Sequence, residues 1–192
     1  MIAIVKYNAG NIRSVYNAVT RLGFDCAVTD DHEIIRKAEK VIFPGVGQAK
    51  SAMAYLREKR LDALLVSLKQ PVLGICLGLQ LLSKHTEEGD TPCLGVFNTR
   101  VKKFPPLDLV PHMGWNNLQE TKGILFHDIT SQNDVYFVHS YYAEICEQTI
   151  ATTNHIITFS AAIQKDNFYA TQFHPEKSGA VGEQILKNFL NL

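Results

Sequence analysis

Charge of one sign is what this chain most plainly lacks. Nineteen Lys and Arg residues stand against nineteen Asp and Glu, a formal net charge of +0 with His neutral. Nucleic acids and anionic lipid surfaces are bound through clustered positive charge, so no nucleic-acid partner and no membrane partner is expected. Long apolar runs are missing too. The opening MIAIVKYNAG is broken by Lys6 after too short a stretch for a signal peptide, and nothing nears the roughly 20 residues of a membrane span. The expected location is cytoplasmic. Cys26, Cys76, Cys93 and Cys146 include no C-x-x-C pair, and the seven histidines show no H-x-H or H-E-x-x-H spacing. Four free thiols, no metal and no cofactor are the expectation.

What is present is an alternation of short apolar runs with amphipathic stretches, at a length, 192 residues, that fits a single domain over 1–192. Residues 2–5 read as a strand. Asn11 reads as the cap of a helix carrying Ile12, Val15, Tyr16, Val19 and Leu22. Residues 24–28 and 41–43 read as strands, 31–38 as a short helix, and 49–69 as one or two helices. The second half reads as strands over 96–104, 135–145, 149–153, 156–164 and 168–173, with a turn at Lys165-Asp166-Asn167. A last helix, capped by Ser178, carries Val181, Ile185, Leu186, Phe189 and Leu190. The fold class is α/β: a mostly parallel sheet with helices on both faces, extended by antiparallel strands in the second half.

Within PVLGICLGLQLL, residues 71–82, Cys76 has a glycine two places away on each side. A cysteine in an apolar run is more often core than catalyst. Here, however, Gly74-Ile75-Cys76-Leu77-Gly78 has the G-x-nucleophile-x-G form of a sharp strand-to-helix elbow, with a strand before it and a helix after it. Helix N-termini present free N–H groups and partial positive charge, which favour a thiolate and can face an oxyanion. A thiol nucleophile needs a base, and the base a group that orients it. Phe173-His174-Pro175-Glu176 closes a strand with an imidazole and a carboxylate two residues apart across a stiff bend. Alone it would read equally as a surface histidine beside a solvated glutamate. Because Cys76 and His174 both end strands, one sheet can bring them together.

These residues resemble the class I, triad-type glutamine amidotransferases, which carry G-x-C-x-G early and H-P-E late on an α/β sheet; the resemblance spans essentially the whole chain. It implies that Cys76, His174 and Glu176 form the catalytic triad. It also implies an oxyanion loop at Pro44-Gly45-Val46-Gly47, with Gly45, Val46, Gly47, Leu77, Gln80, Ser140 and Tyr141 around the glutamine substrate. The finer stretches, residues 7–15, 44–47, His112-Met113-Gly114-Trp115-Asn116 and His139-Ser140-Tyr141-Tyr142, look like those of the glutaminase subunits of imidazole glycerol phosphate synthases. Such a resemblance implies ammonia made for a separate cyclase subunit of (β/α)8-barrel fold, a heterodimer, and a partner interface near Asn11, Trp115 and Lys177. One departure stands out: the family usually reads Asp-Tyr-Gly where this chain has Lys6-Tyr7-Asn8, so that loop lacks a glycine's freedom. The alternatives are a glutaminase serving another synthase, a partner-independent thiol hydrolase on the same elbow, and a silent binding module that keeps the fold. Whether the oxyanion loop switches or only walls the pocket stays open at this level.

Overall fold

The computed structural model describes residues 1–130 and 133–192. Its first half runs β1 (Ile2–Val5), α1 (Ile12–Arg21), β2 (Cys26–Thr29), α2 (His32–Lys37), β3 (Lys40–Gly45), α3 (Ala49–Glu58), α4 (Leu61–Ser67), β4 (Val72–Cys76) and α5 (Leu77–Leu82). The second half runs β5 (His85–Thr86), β6 (Thr91–Pro92), β7 (Arg100–Lys103), β8 (His112–Asn117), β9 (Asp134–His139), β10 (Tyr141–Ala143), β11 (Thr149–His155), β12 (Ile157–Lys165), β13 (Phe168–Thr171) and α6 (Gly179–Leu190).

Seven strands make the central sheet, in the order β11-β12-β13-β4-β3-β1-β2. The five from β13 to β2 are parallel, and β12 and β11 join antiparallel. Helices cover both faces, so the central strands β1, β3 and β4 are almost wholly apolar, and alternation only decides which face each residue fills. Ile2, Ile4, Ile42 and Leu73 pack with Val15 and Val19 of α1 and Phe189 of α6. Ala3, Val5, Val41 and Phe43 point the other way, onto Met53 and Leu56 of α3 and Leu64 of α4. This is the α/β class expected from the sequence.

Two expectations are corrected. The stretches 96–104 and 135–145 do not extend the main sheet: β7 and β10 lie with β5 and β6 in a four-stranded sheet, and β8 and β9 form a two-stranded ribbon. The break comes at Ser140, whose carbonyl accepts from the Phe104 N–H (3.1 Å) while the chain passes from one sheet to the other. Only the polar pair His139-Ser140 separates the two aromatic-rich runs, too short an interruption to read as a change of sheet. Asn11 and Ser178 stand where caps were expected, yet neither side chain caps its helix. Asp31, by contrast, caps α2, its Oδ1 accepting from Glu33 N–H (2.8 Å) and Ile34 N–H (3.0 Å).

The sheet order decides where chemistry gathers. Gly45, the last residue of β3, pairs with Cys76, the last of β4. On the other side of β4 lies β13, which leads directly to His174. Three carboxyl ends of neighbouring parallel strands meet at one edge.

Candidate active site

Cys76 occupies the elbow between β4 and α5 at φ 54°, ψ −103°, a left-handed φ that is uncommon without glycine. The turn is tight enough that a Cβ on Gly78 would sit 1.9 Å from the Phe43 carbonyl oxygen, so α5 can start against β3 only with glycine there. The thiol is 6% exposed and forms the floor of a cleft of about 290 Å³.

His174 is 1% exposed. Its backbone N–H donates to the Tyr136 carbonyl (2.9 Å), and Ser178 Oγ–H donates to the His174 carbonyl (2.7 Å). Ser178 Oγ also accepts from Tyr136 N–H (2.9 Å), so the expected cap is spent tethering the histidine to β9. Nδ1–H of the ring donates to Glu176 Oε1 (2.8 Å), across a short helical turn that begins at Pro175. The Glu176 side chain is fully enclosed, and Oε1 also accepts from the Asn11 amide. Burial alone would lower the His174 pKa. The Cys76 thiolate facing the ring, and then Glu176, outweigh burial and raise it to about 10. The charges that face the ring favour its protonated form.

Of the residues expected around a substrate, Val46, Gly47, Leu77, Gln80, Ser140 and Tyr141 all line the cleft. Gly45 lies beneath it, in register with Cys76. The loop after β3 is held from below. Tyr7 Oη–H donates to the Pro44 carbonyl (2.7 Å), and Gly10 N–H donates to the Val46 carbonyl (3.0 Å). Burial, reinforced by the Cys76 charge, keeps the Tyr7 phenol well above its usual range, so it remains a donor. Gly47 is at φ 141°, a conformation L side chains rarely adopt. Any rotation of the Val46–Gly47 peptide breaks the bond to Gly10.

The three residues expected at a partner interface divide. Trp115 is 57% exposed with its ring 6.0 Å from that of Tyr136, and the Lys177 ammonium lies 6.0 Å from the centre of the same Tyr136 ring. Those two stand together. Asn11 is half-buried, and its amide turns inward to Glu176.

Several neighbours were not found by sequence reasoning. Glu88 lines the cleft, with one carboxylate oxygen taking the Ala49 N–H (2.7 Å). In sequence it is one of two adjacent glutamates, indistinguishable from a solvated pair. Gln172, fully buried, puts its Nε2 3.7 Å from Cys76 Sγ. Its signal was its place two residues before His174, where strand alternation points both toward one side. His139 also lines the cleft. Its Nδ1–H donates to the Tyr141 carbonyl (2.7 Å), so Nε2 accepts from His112 Nδ1–H (3.0 Å), and His112 Nε2 accepts from the Asn116 amide (3.2 Å). Burial lowers His139 to about 3 and His112 to about 4, leaving both neutral. Among the described residues, no group of three or more His, Cys, Asp or Glu side chains is placed to hold a metal ion. No helix among them is long and apolar enough to cross a membrane.

Comparison with known proteins gives the site its relatives. The family model described as glutamine amidotransferase class-I matches residues 3–192. A protein of Bacteroides thetaiotaomicron named imidazole glycerol phosphate synthase subunit HisH is 55% identical, over 100% of this chain and 99% of its own length. One of the same name from Pectobacterium atrosepticum is 48% identical over the same shares. Among solved structures, a putative GMP synthase component from Thermoplasma acidophilum superposes with TM-score 0.77 at 19% identity, covering 100% of this chain and 92% of that one. PurLQS from Thermotoga maritima gives TM-score 0.74 at 17% identity, covering 99% and 97%.

Proposed function

The chain belongs to the class-I glutamine amidotransferases, and from that premise we propose that it is the glutamine-hydrolysing subunit of an imidazole glycerol phosphate synthase, acting in histidine biosynthesis. Its ammonia goes to a separate cyclase subunit of (β/α)8-barrel fold, with which it forms a heterodimer in the cytoplasm. The observation that carries this is Cys76 on the floor of a cleft with the buried His174–Glu176 pair behind it, in a chain more than half identical, end to end, to a protein of that name.

The geometry supports the following course. Glutamine enters the cleft, where Glu88 offers a carboxylate to its α-ammonium and Gln80, Ser140 and Tyr141 supply the wall. Cys76 Sγ, as thiolate, attacks the side-chain amide carbon, and the carbonyl electrons move onto oxygen. Donors for that oxyanion are the Leu77 N–H at the start of α5 and the loop at Val46–Gly47. The C–N bond breaks as the imidazolium gives its Nε2 proton to the departing nitrogen, leaving ammonia, neutral imidazole and a γ-glutamyl thioester. Water then attacks the thioester while the imidazole takes its proton. Collapse releases glutamate and restores thiolate and imidazolium. Glu176 holds the ring throughout, through Nδ1–H.

Trp115 and Lys177 mark the contact with the cyclase, and Asn11 sits between that rim and Glu176. The experiment is glutamate release from glutamine by the purified chain, first by itself and then with a cyclase subunit plus its nucleotide substrate. Low activity alone and strong activation in the liganded complex is the expected result. Full activity in the single chain would favour the partner-independent hydrolase.

A further inference from the structure

Among the described residues, a side chain outside the proposed triad also reaches the sulfur. Gln172 lies between β13 and His174 with no exposed surface, its Nε2 3.7 Å from Cys76 Sγ. Its Oε1 accepts from Gln80 Nε2 (3.2 Å), and Gln80 Nε2 also donates to the Tyr141 carbonyl (3.2 Å). The orientation of both amides follows from the last contact. A backbone carbonyl can only accept, so Gln80 must turn its NH2 toward Tyr141. That same nitrogen meets Gln172, which must therefore present its oxygen there. The Gln172 NH2 is left facing the sulfur. The chain of donors runs one way.

We propose that Gln172 is a further catalytic residue of this site: its carboxamide donates a hydrogen bond to Cys76 Sγ, favouring the thiolate and aiming it into the cleft. The proposal rests on Cys76 being the nucleophile. A donor to an anionic acceptor in a dry enclosure is stronger than one to a neutral acceptor, and a thiolate is the better acceptor of the two sulfur states. The bond also acts late in the cycle. A thioester sulfur accepts weakly, whereas the thiolate that departs when water cleaves the thioester accepts strongly, so the same amide favours its return.

The competing role is purely structural: Gln172 could matter only as the acceptor that props Gln80 against Tyr141. Gln172→Glu keeps an oxygen for Gln80 and removes the donor to sulfur but adds a charge beside it, so the uncharged pair Gln172→Met and Gln80→Met is measured with it to separate the two. The assay is alkylation of Cys76 by iodoacetamide as a function of pH in the complex with the cyclase, with peptide mapping to assign the modified cysteine, alongside glutaminase kcat and KM. Expected for Gln172→Glu are alkylation about tenfold slower near pH 7, its pH midpoint moved up by about one unit, and kcat lowered with KM nearly unchanged. Ammonia-dependent synthesis by the same complex reports correct folding and assembly. The charge-free comparison decides: Gln172→Met must slow alkylation more than Gln80→Met. Wild-type alkylation and kcat in Gln172→Glu, or equal effects of the two Met variants, overturn the proposal. Cys76→Ala keeping glutamine-dependent activity would instead remove the nucleophile assignment on which it rests.

Discussion

His174 and His139 are buried to nearly the same depth, 1% and 6% exposed, beside one cleft, and they are driven to opposite charge states. Burial disfavours the cation in both. For His174 a thiolate and a carboxylate face the ring and reverse the balance, whereas His139 faces a backbone carbonyl and a second imidazole. The His174 cation adds its own push against charging His139. Depth therefore does not decide which histidine moves protons; the charges that face it do. One is equipped to hold and release a proton, the other to stay fixed as a donor to the wall residue Tyr141.

The largest effect should come from removing the charged ring. His174→Ala is expected to lower the glutaminase rate of the complex by about 10²–10⁴-fold, whereas Glu176→Gln, which keeps an acceptor for Nδ1–H, should lose less. Steady-state glutamate release checks both, and a worse Glu176→Gln would break the contrast. A smaller effect is expected at the neutral ring. His139→Leu removes the donor to the Tyr141 carbonyl and should raise the KM for glutamine by several-fold to about tenfold with kcat little altered, while His139→Asn, with an amide near the Nδ1 position, should recover most of it.

Stability against pH gives the smallest effect and the sharpest sign. His112 and His139 have folded values of about 4 and 3, below the ordinary 6.5, so between these limits the unfolded chain binds protons that the folded one refuses. Their contribution is full above about pH 6.5 and is lost as pH falls. His174 works in the opposite sense: raised to about 10, its contribution is full below 6.5 and is lost as pH climbs. A His112→Asn variant should lose a few degrees less Tm than the unsubstituted protein on going from about pH 7 to pH 5. Equal losses would mean that His112 is not held neutral by burial.

The fold class and the three residues of the cluster were legible because each depends on local pattern: apolar runs between amphipathic stretches, glycines two places either side of Cys76, and proline between His174 and Glu176. What was illegible depends on tertiary competition. Asn11 has the side chain of a helix cap, but the enclosed Glu176 carboxylate is a stronger acceptor of its amide protons than the α1 backbone is a claimant on its oxygen. Ser178 is diverted in the same way, to His174 and Tyr136. Gln172 and Glu88 are ordinary polar residues in sequence, and only the packing of β13 beside β4, and of Ala49 above Glu88, gives them their places. His112 and His139 each open a family-like stretch of the sequence, yet their pairing needs the β8–β9 register, which joins them directly.

The central claim is that Cys76 is needed to release ammonia from glutamine and for nothing else. In the complex with a cyclase subunit, synthesis driven by glutamine is measured beside synthesis driven by added ammonia, for the unsubstituted chain and for Cys76→Ala. The account predicts loss of the glutamine-driven reaction with the ammonia-driven one nearly unchanged, since Ala fits the same elbow and leaves the partner's chemistry alone. Parallel loss of both reactions, or retention of both, would contradict it.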